Sequence, residues 1–192
     1  MRLIEQICHT PGINELKMKK KKDGVTTYVF IDSQNLNLGT SKNIYKGKEL
    51  IYKGWKLDYK KFRIYLRHKF KVNKVFLFIG LIPENKKLYN TLKNFDYTLV
   101  FKPTVKDGFG KPKGNVDAEL VLHCAKIEYD NYDKAIVVSG DGDFYCLHTY
   151  LKKERKLSKI IIPNRKSESS LLRSFQNEKI FLDREKQKLE RL

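Results

Sequence analysis

Four aspartates lie where predicted strands end or predicted helices begin: Asp32, Asp117, Asp141 and Asp143. Asp32 ends the apolar run 28–31, and Asp141 follows the apolar run 135–138 closely. Continuous apolar runs are typical of parallel strands buried on both faces, whose carboxyl ends meet at one edge of the sheet. Carboxylates that converge there repel one another unless a cation neutralises them. The four residues therefore predict a divalent metal site.

The chemistry that such a site predicts is phosphodiester hydrolysis with Mg²⁺ or Mn²⁺. Hard cations take oxygen ligands and keep several waters, so a few carboxylates suffice. Two such ions ~4 Å apart would activate a water and stabilise the leaving oxygen. At the same edge, Asn35 and Ser139 would add neutral oxygen donors or contact the substrate, and Lys113 would meet the scissile phosphate.

Each aspartate also has a structural explanation when it is taken singly. Asp32, Asp117 and Asp143 could be helix N-caps or first-turn residues, and the sequence DGD at 141–143 could be a simple turn. Capping does not readily explain all four at one edge. Other chemistries fit worse, because no calcium loop, phosphate-binding loop or serine nucleophile motif is complete, and the four histidines show no metal spacing.

Strands alternate with helices along the chain, which predicts a parallel sheet with right-handed crossovers. The predicted strands are 25–31, 75–79, 97–101, 135–138 and 159–162, and the predicted helices are 58–70, 83–95, 117–129, 143–153, 167–175 and 179–192. Segments 33–54 and 102–115 are expected to be loops, the first with a short helix near Leu36. The fold class is therefore α/β, a three-layer sandwich of a five-stranded parallel sheet with helices on both faces.

Three sequence blocks resemble the signature motifs of NYN domains, which are PIN-like nucleases. The blocks are YVFIDSQN at 28–35, KGNVD at 113–117 and VSGDGDF at 138–144, in the order that the family has them. Within the family the chain is most similar to the bacterial LabA/DUF88 group. The resemblance implies a PIN-like Rossmannoid sheet with strand order 3-2-1-4-5 and metal-dependent RNA cleavage. By motif position, the four aspartates match the family's acidic cluster, and Asn35, Ser139 and Lys113 match its flanking polar positions.

The composition predicts a polyanionic partner. Forty Lys and Arg residues against 22 Asp and Glu give a net charge of +18, and basic residues interleave with aromatics in segment 52–70. Lys111 and Lys113 are expected to contact phosphates. Trp55 would stack a base, although a role in the core that anchors the following helix is the stronger expectation for it. No stretch is long enough to span a membrane.

These observations predict a metal-dependent ribonuclease acting on single-stranded RNA. Residues 1–24 would form a basic extension, 25–175 the nuclease domain and 176–192 a C-terminal helix. Three cysteines without paired spacing favour a reduced, cytoplasmic protein. The alternatives are an RNA-binding module with little turnover and a phosphohydrolase acting on nucleotides or small phosphoesters. The oligomeric state stays open, with a homodimer as one alternative.

Overall fold

A computed structural model describes residues 24–103, 105–106, 112–113 and 116–192. The strands are β1 (Thr27–Asp32), β2 (Ile44–Lys46), β3 (Glu49–Tyr52), β4 (Val72–Leu81), β5 (Thr98–Pro103), β6 (Val105–Lys106), β7 (Pro112–Lys113), β8 (Lys134–Val138), β9 (Leu157–Ile162) and β10 (Lys179–Phe181). The α-helices are α1 (Ser33–Ser41), α2 (Tyr59–Phe70), α3 (Lys86–Asn94), α4 (Asp117–Leu122), α5 (Tyr145–Lys153) and α6 (Lys186–Leu189). A π-helical turn, His123–Ile127, continues α4.

Six parallel strands form the main sheet, in the order β10-β9-β8-β1-β4-β5. When the strands of this sheet are numbered along the chain, β1, β4, β5, β8 and β9 become strands 1 to 5. Their spatial order is 3-2-1-4-5, which confirms the predicted topology. The sixth strand, β10, pairs with β9 at the edge and was not predicted. The direction in which successive strands are added reverses between β1 and β8, and such a reversal point is where open α/β sheets bind ligands.

The helix expected at the C-terminal end of the chain is largely wrong. Segment 176–192 contains β10, a 3₁₀ turn at Leu182–Glu185 and only one short helix, α6. In β10, Ile180 packs on the core at one face of the sheet and Phe181 on the core at the other face. A strand contributes side chains to both faces of the sheet because successive side chains point in opposite directions. A helix at this edge would not do so.

The sheet is buried on both faces, as its apolar strands predict. Val29 and Ile31 of β1 belong to the cluster on one face, packed with residues of α2 and α3. Phe30, between them in the sequence, belongs to the cluster on the other face, packed with residues of α4 and α5. The alternation follows from the two-residue repeat of a strand and gives the expected three-layer sandwich.

The two segments that were expected to be loops each contain a hairpin. After α1, the strands β2 and β3 pair in an antiparallel hairpin, and β6 pairs with β7 in the second segment. Trp55 follows the first hairpin and is 3% exposed within the core, which fits the expected core position and leaves little of the ring accessible for stacking on a base. Within the described ranges, no helix is both long and apolar enough to cross a membrane.

Candidate functional site

A cavity of about 830 Å³ opens at the carboxyl ends of the central strands. All four predicted aspartates line it, and they come from four places in the sequence pattern: the end of β1, the start of α4 and the two sides of the turn after β8. The convergence expected from the strand ends is therefore present. The catalytic and metal-binding roles of these residues stay a prediction.

Asp32 is the most enclosed of the four carboxylates, with 5% of the residue exposed. It is the N-cap of α1, and its Oδ1 atom accepts hydrogen bonds from the backbone N–H groups of Gln34 and Asn35, both at 3.0 Å. The capping explanation is thus correct for Asp32, but it uses only one of the two oxygens. In the part of the chain that the structure describes, no donor contacts Oδ2, which stays available to a ligand in the cavity.

Asp141 and Asp143 lie on a tight turn between β8 and α5. Asp141 is half-buried and its Oδ1 atom accepts the Asp143 N–H at 3.0 Å, which starts the 3₁₀ turn Gly142–Phe144. Asp143 is exposed at the mouth of the cavity. Gly142 between them is buried against Ser169, and a Cβ atom at this position would collide with the Ser169 hydroxyl. The spacing of the two carboxylates therefore depends on the packing of a glycine.

Asp117 begins α4 and lines the same cavity. It is the first residue of the helix rather than its cap, because Val116 is the N-cap and makes no capping bond with its side chain. A carboxylate in the first turn of a helix is stabilised by the helix dipole. Asp117 is half-buried and its charge acts on Asp32, as the pKa of Asp32 shows.

The cluster holds its central carboxylate in an environment that disfavours negative charge. Burial, with the charges of Asp117 and Asp141, raises the pKa of Asp32 to about 6 against the lowering effect of the two backbone hydrogen bonds. This is the behaviour expected of like charges that share a partly buried site. A cation in the cavity would reverse the effect, because it would stabilise the ionised form of each carboxylate.

The donor set fits a hydrated hard cation. All four acidic groups are oxygen donors, the type that Mg²⁺ and Mn²⁺ prefer. Among the residues that the structure describes, no three His, Cys, Asp or Glu side chains form a ready-made cluster of metal ligands. A cation that keeps several of its own waters needs fewer direct protein ligands, and Asp32, Asp117, Asp141 and Asp143 are the residues that would hold it.

The neutral residues predicted at this edge differ in their placement. Asn35 lines the cavity, and its Oδ1 atom accepts the Gly140 N–H at 2.9 Å, so it joins the ends of β1 and β8. Ser139 is fully buried, and its hydroxyl accepts the Asp141 N–H at 3.2 Å. The structure thus gives Ser139 a part in holding the turn rather than a surface for a substrate.

The two predicted phosphate contacts cannot be placed in the same way. Lys111 lies outside the described residues. Lys113 is the last residue of β7, and only its backbone is described. The contact of either lysine with phosphate stays a prediction.

Several polar residues of the cavity were missed from the sequence. They come from the segments that follow α1, β4 and β9, and they are Lys42, Asn43, Asn85 and Ser167. Asn85 and Ser167 lie in segments beyond the carboxyl ends of strands, which is where active sites of parallel sheets lie, whereas Lys42 and Asn43 follow a helix. That rule could have indicated these segments, but it does not select individual residues within them.

Comparisons with known proteins agree with this architecture. The family model described as the NYN domain matches residues 26–183. None of the curated proteins compared matches the chain. A crystal structure of a protein of unknown function from Vibrio parahaemolyticus is similar, with a TM-score of 0.66 and 19% sequence identity, over 87% of this chain and 96% of that chain. At this level of identity the similarity supports the fold alone.

Proposed function

The chain belongs to the NYN domain family, part of the PIN-like nuclease superfamily, and from this membership we propose that it is a metal-dependent ribonuclease. Its substrate would be single-stranded RNA, and its cofactor Mg²⁺ or Mn²⁺. Within the family we assign it to the LabA/DUF88 group on its three sequence blocks. The observation that carries the proposal is the convergence of four aspartates on one cavity at the reversal point of the sheet.

Asp32, Asp117 and Asp141 would hold the metal, and Asp143 would complete the site directly or through a water. When bound, the cation would neutralise the carboxylates and act as a Lewis acid on the phosphodiester. The chain itself supplies the rigid frame. The two N–H groups on Asp32 Oδ1 fix that carboxylate, and the Asp141 carboxylate is fixed through the Asp143 N–H.

RNA would reach the cavity across a strongly basic surface. The net charge of +18 favours a polyanion, and Lys42 lies in the cavity lining itself. Lys111 and Lys113 are proposed as further phosphate contacts. Positive charge beside a carboxylate cluster suits an RNA substrate. The flanking phosphates of the RNA would bind the lysines, while the scissile phosphate would contact the metal cation.

We also propose that the protein acts in the cytoplasm. Among the described residues the cysteines are free thiols, Cys124 buried and Cys146 exposed. Thiols persist in reducing compartments.

End-labelled single-stranded RNA, incubated with and without Mg²⁺ or Mn²⁺, tests the function. We expect metal-dependent fragments with the wild type and none with Asp141→Asn. Asp58→Asn is the matched control, because Asp58 is also an N-cap aspartate but does not line the cavity. Binding without cleavage under all metal conditions would instead support an RNA-binding module with little turnover.

A further inference from the structure

We propose that the β2–β3 hairpin carries a stacking platform, formed by Tyr45 and Leu50, that seats a base of single-stranded RNA at the mouth of the cavity. The inference rests on the proposed function, since it concerns how that substrate is held. It assigns the contact to two side chains that the sequence did not single out. The occupant is a nucleobase, and a second copy of the chain is the alternative that the test must exclude.

The platform is an apolar pair on the solvent side of the hairpin. Tyr45 and Leu50 are partners in the antiparallel register, so their side chains lie beside each other on one face. Tyr45 is 57% exposed and Leu50 is 44% exposed. The next pair in the register, beyond an irregularity, is Ile44 and Tyr52, of which Ile44 lines the cavity and Tyr52 packs against the core. Neither Tyr45 nor Leu50 packs in a core cluster of the described residues.

The platform stands next to the cavity. Asn43 and Ile44, which lead into the hairpin, line the cavity together with Lys42. The Asn43 Nδ2 atom donates a hydrogen bond to the Tyr45 hydroxyl at 3.4 Å. This contact ties the Tyr45 side chain to a residue of the cavity wall. A base on the ring would leave the adjoining backbone within reach of the cavity.

The charge around the platform selects a polyanion as its occupant. Segment 42–53 contains four lysines, Lys42, Lys46, Lys48 and Lys53, and a single acidic residue, Glu49. None of these lysines forms an ion pair with a residue that the structure describes. An aromatic surface among unpaired basic groups is typical of single-strand binding, in which bases stack while phosphates meet the charges. A second copy of this basic chain would bring like charges together.

The hairpin is fixed at its base, so the platform is preorganised. The Gly54 N–H donates to Asn43 Oδ1 at 2.9 Å, and the Trp55 N–H donates to Thr40 O at 2.9 Å. A Cβ atom on Gly54 would collide with the carbonyl oxygen of Ser41, which shows how closely the two ends of the hairpin cross. A preorganised surface loses little entropy when a ligand binds.

Fluorescence anisotropy with a labelled ten-nucleotide oligoadenylate RNA, in EDTA so that no turnover occurs, tests the platform. We expect Tyr45→Ala to weaken binding by roughly tenfold, since stacking on an aromatic side chain contributes substantially for each base. Tyr45→Phe should keep most of the affinity because it keeps the ring. Tyr150→Ala is the matched control, because Tyr150 is also an exposed tyrosine but belongs to α5 and not to the hairpin.

A second measurement needs no variant. Wild-type protein should bind a strand with consecutive abasic sites roughly tenfold more weakly than the intact strand, because the phosphates remain but the stacking is lost. Equal affinity of Tyr45→Ala and wild type for the intact strand would overturn the proposal. So would a wild-type dimer in gel filtration that Tyr45→Ala converts to a monomer. If the wild-type protein does not cleave RNA with any metal but still binds it in a Tyr45-dependent way, the proposed nuclease function is wrong and the stacking platform is supported.

Discussion

The Oδ1 atom of Asn35 accepts a hydrogen bond from the backbone N–H of Gly140 at 2.9 Å, across 105 positions of sequence. Asp32 precedes Asn35 by one helical turn, and Asp141 directly follows Gly140. The bond therefore helps to set the distance between the carboxylate at the end of β1 and a carboxylate on the turn after β8. Asn35 acts on the site by positioning these carboxylates, independently of any contact it makes with a substrate.

Asn35→Ala should remove this connection. We expect the free energy of unfolding to fall by about 1–2 kcal/mol, because the Gly140 N–H loses its acceptor in a partly buried place. Cleavage should fall by more than the loss of folded protein explains. Urea unfolding and initial cleavage rates measure the two effects, with Asn37→Ala, an exposed position on the same helix, as the control. Unchanged cleavage in a folded Asn35→Ala protein would contradict the positioning role.

Asp32→Asn should separate metal binding from folding. Burial and two neighbouring carboxylates raise the pKa of Asp32 to about 6, so its ionised form costs stability at pH 7 without metal. In EDTA the free energy of unfolding of the variant should therefore equal that of the wild type or exceed it by about 1 kcal/mol. Wild-type protein should melt a few degrees higher in excess Mg²⁺, and the variant should not.

The control for this experiment is Asp58→Asn, which alters an N-cap of α2 that accepts the Lys61 N–H. Asp58 does not line the cavity, so this variant should keep the Mg²⁺-dependent rise in melting temperature. A full Mg²⁺ effect in Asp32→Asn would show that Asp32 is not a ligand.

His148 should make the protein sensitive to acid. It is fully buried between the rings of Phe144 and Phe175, and neither ring nitrogen has a hydrogen-bond partner among the residues that the structure describes. Burial lowers the pKa of His148 to about 4. Between pH 6.5 and 4 the His148 side chain is protonated in the unfolded chain but stays neutral in the folded protein. Stability should therefore fall as the pH is lowered through this window, by up to about 1.4 kcal/mol per pH unit from this group.

Comparison of wild type with His148→Leu isolates the effect. Urea unfolding at pH 7, 6, 5 and 4.5 should show a smaller loss in the variant, whereas His68→Gln, at an exposed position on α2, should follow the wild type. The carboxyl of Asp32 contributes with the opposite sign below pH 6, but it is common to all three proteins. Parallel curves for wild type and His148→Leu would exclude His148 as the cause.

Gly142→Ala should disturb the turn that carries Asp141 and Asp143. The added Cβ atom would collide with the Ser169 hydroxyl and crowd the Ser169 Cβ atom, so the Ser169 side chain or the turn must move. We expect cleavage to fall by roughly tenfold or more, because small displacements of catalytic groups are costly. Binding of oligoadenylate in EDTA should stay within about twofold of the wild type, since the lysines and the hairpin are untouched.

The double variant Gly142→Ala, Ser169→Gly tests the steric cause. It removes the colliding hydroxyl and should restore part of the cleavage rate. If the double variant is no more active than Gly142→Ala alone, the loss does not arise from this contact.

The sequence predicted the features that depend on local pattern. The apolar runs located β1 and β8, and their termination in Asp32 and Asp141 located the cavity. The features that it missed depend on contacts between distant segments. The buried hydroxyl of Ser139 and the bond between Asn35 and Gly140 depend on the detailed packing of the segments that follow β1 and β8, which the expected strand order does not specify. The strand β10 was missed because three residues within a charged segment give too short an alternation to recognise.

The close crossing of Gly54 and Ser41 also has a consequence for how this scaffold can diversify. The chain leaves the main fold at Lys42 and returns beside the same point, so segment 43–53 is an inserted hairpin whose two ends are in contact. The free-energy cost of closing such a segment grows only with the logarithm of its length, so lengthening it is inexpensive. A relative could therefore exchange this segment for one of different size and chemistry, and so acquire a different preference, while the sheet and the four aspartates remain as they are.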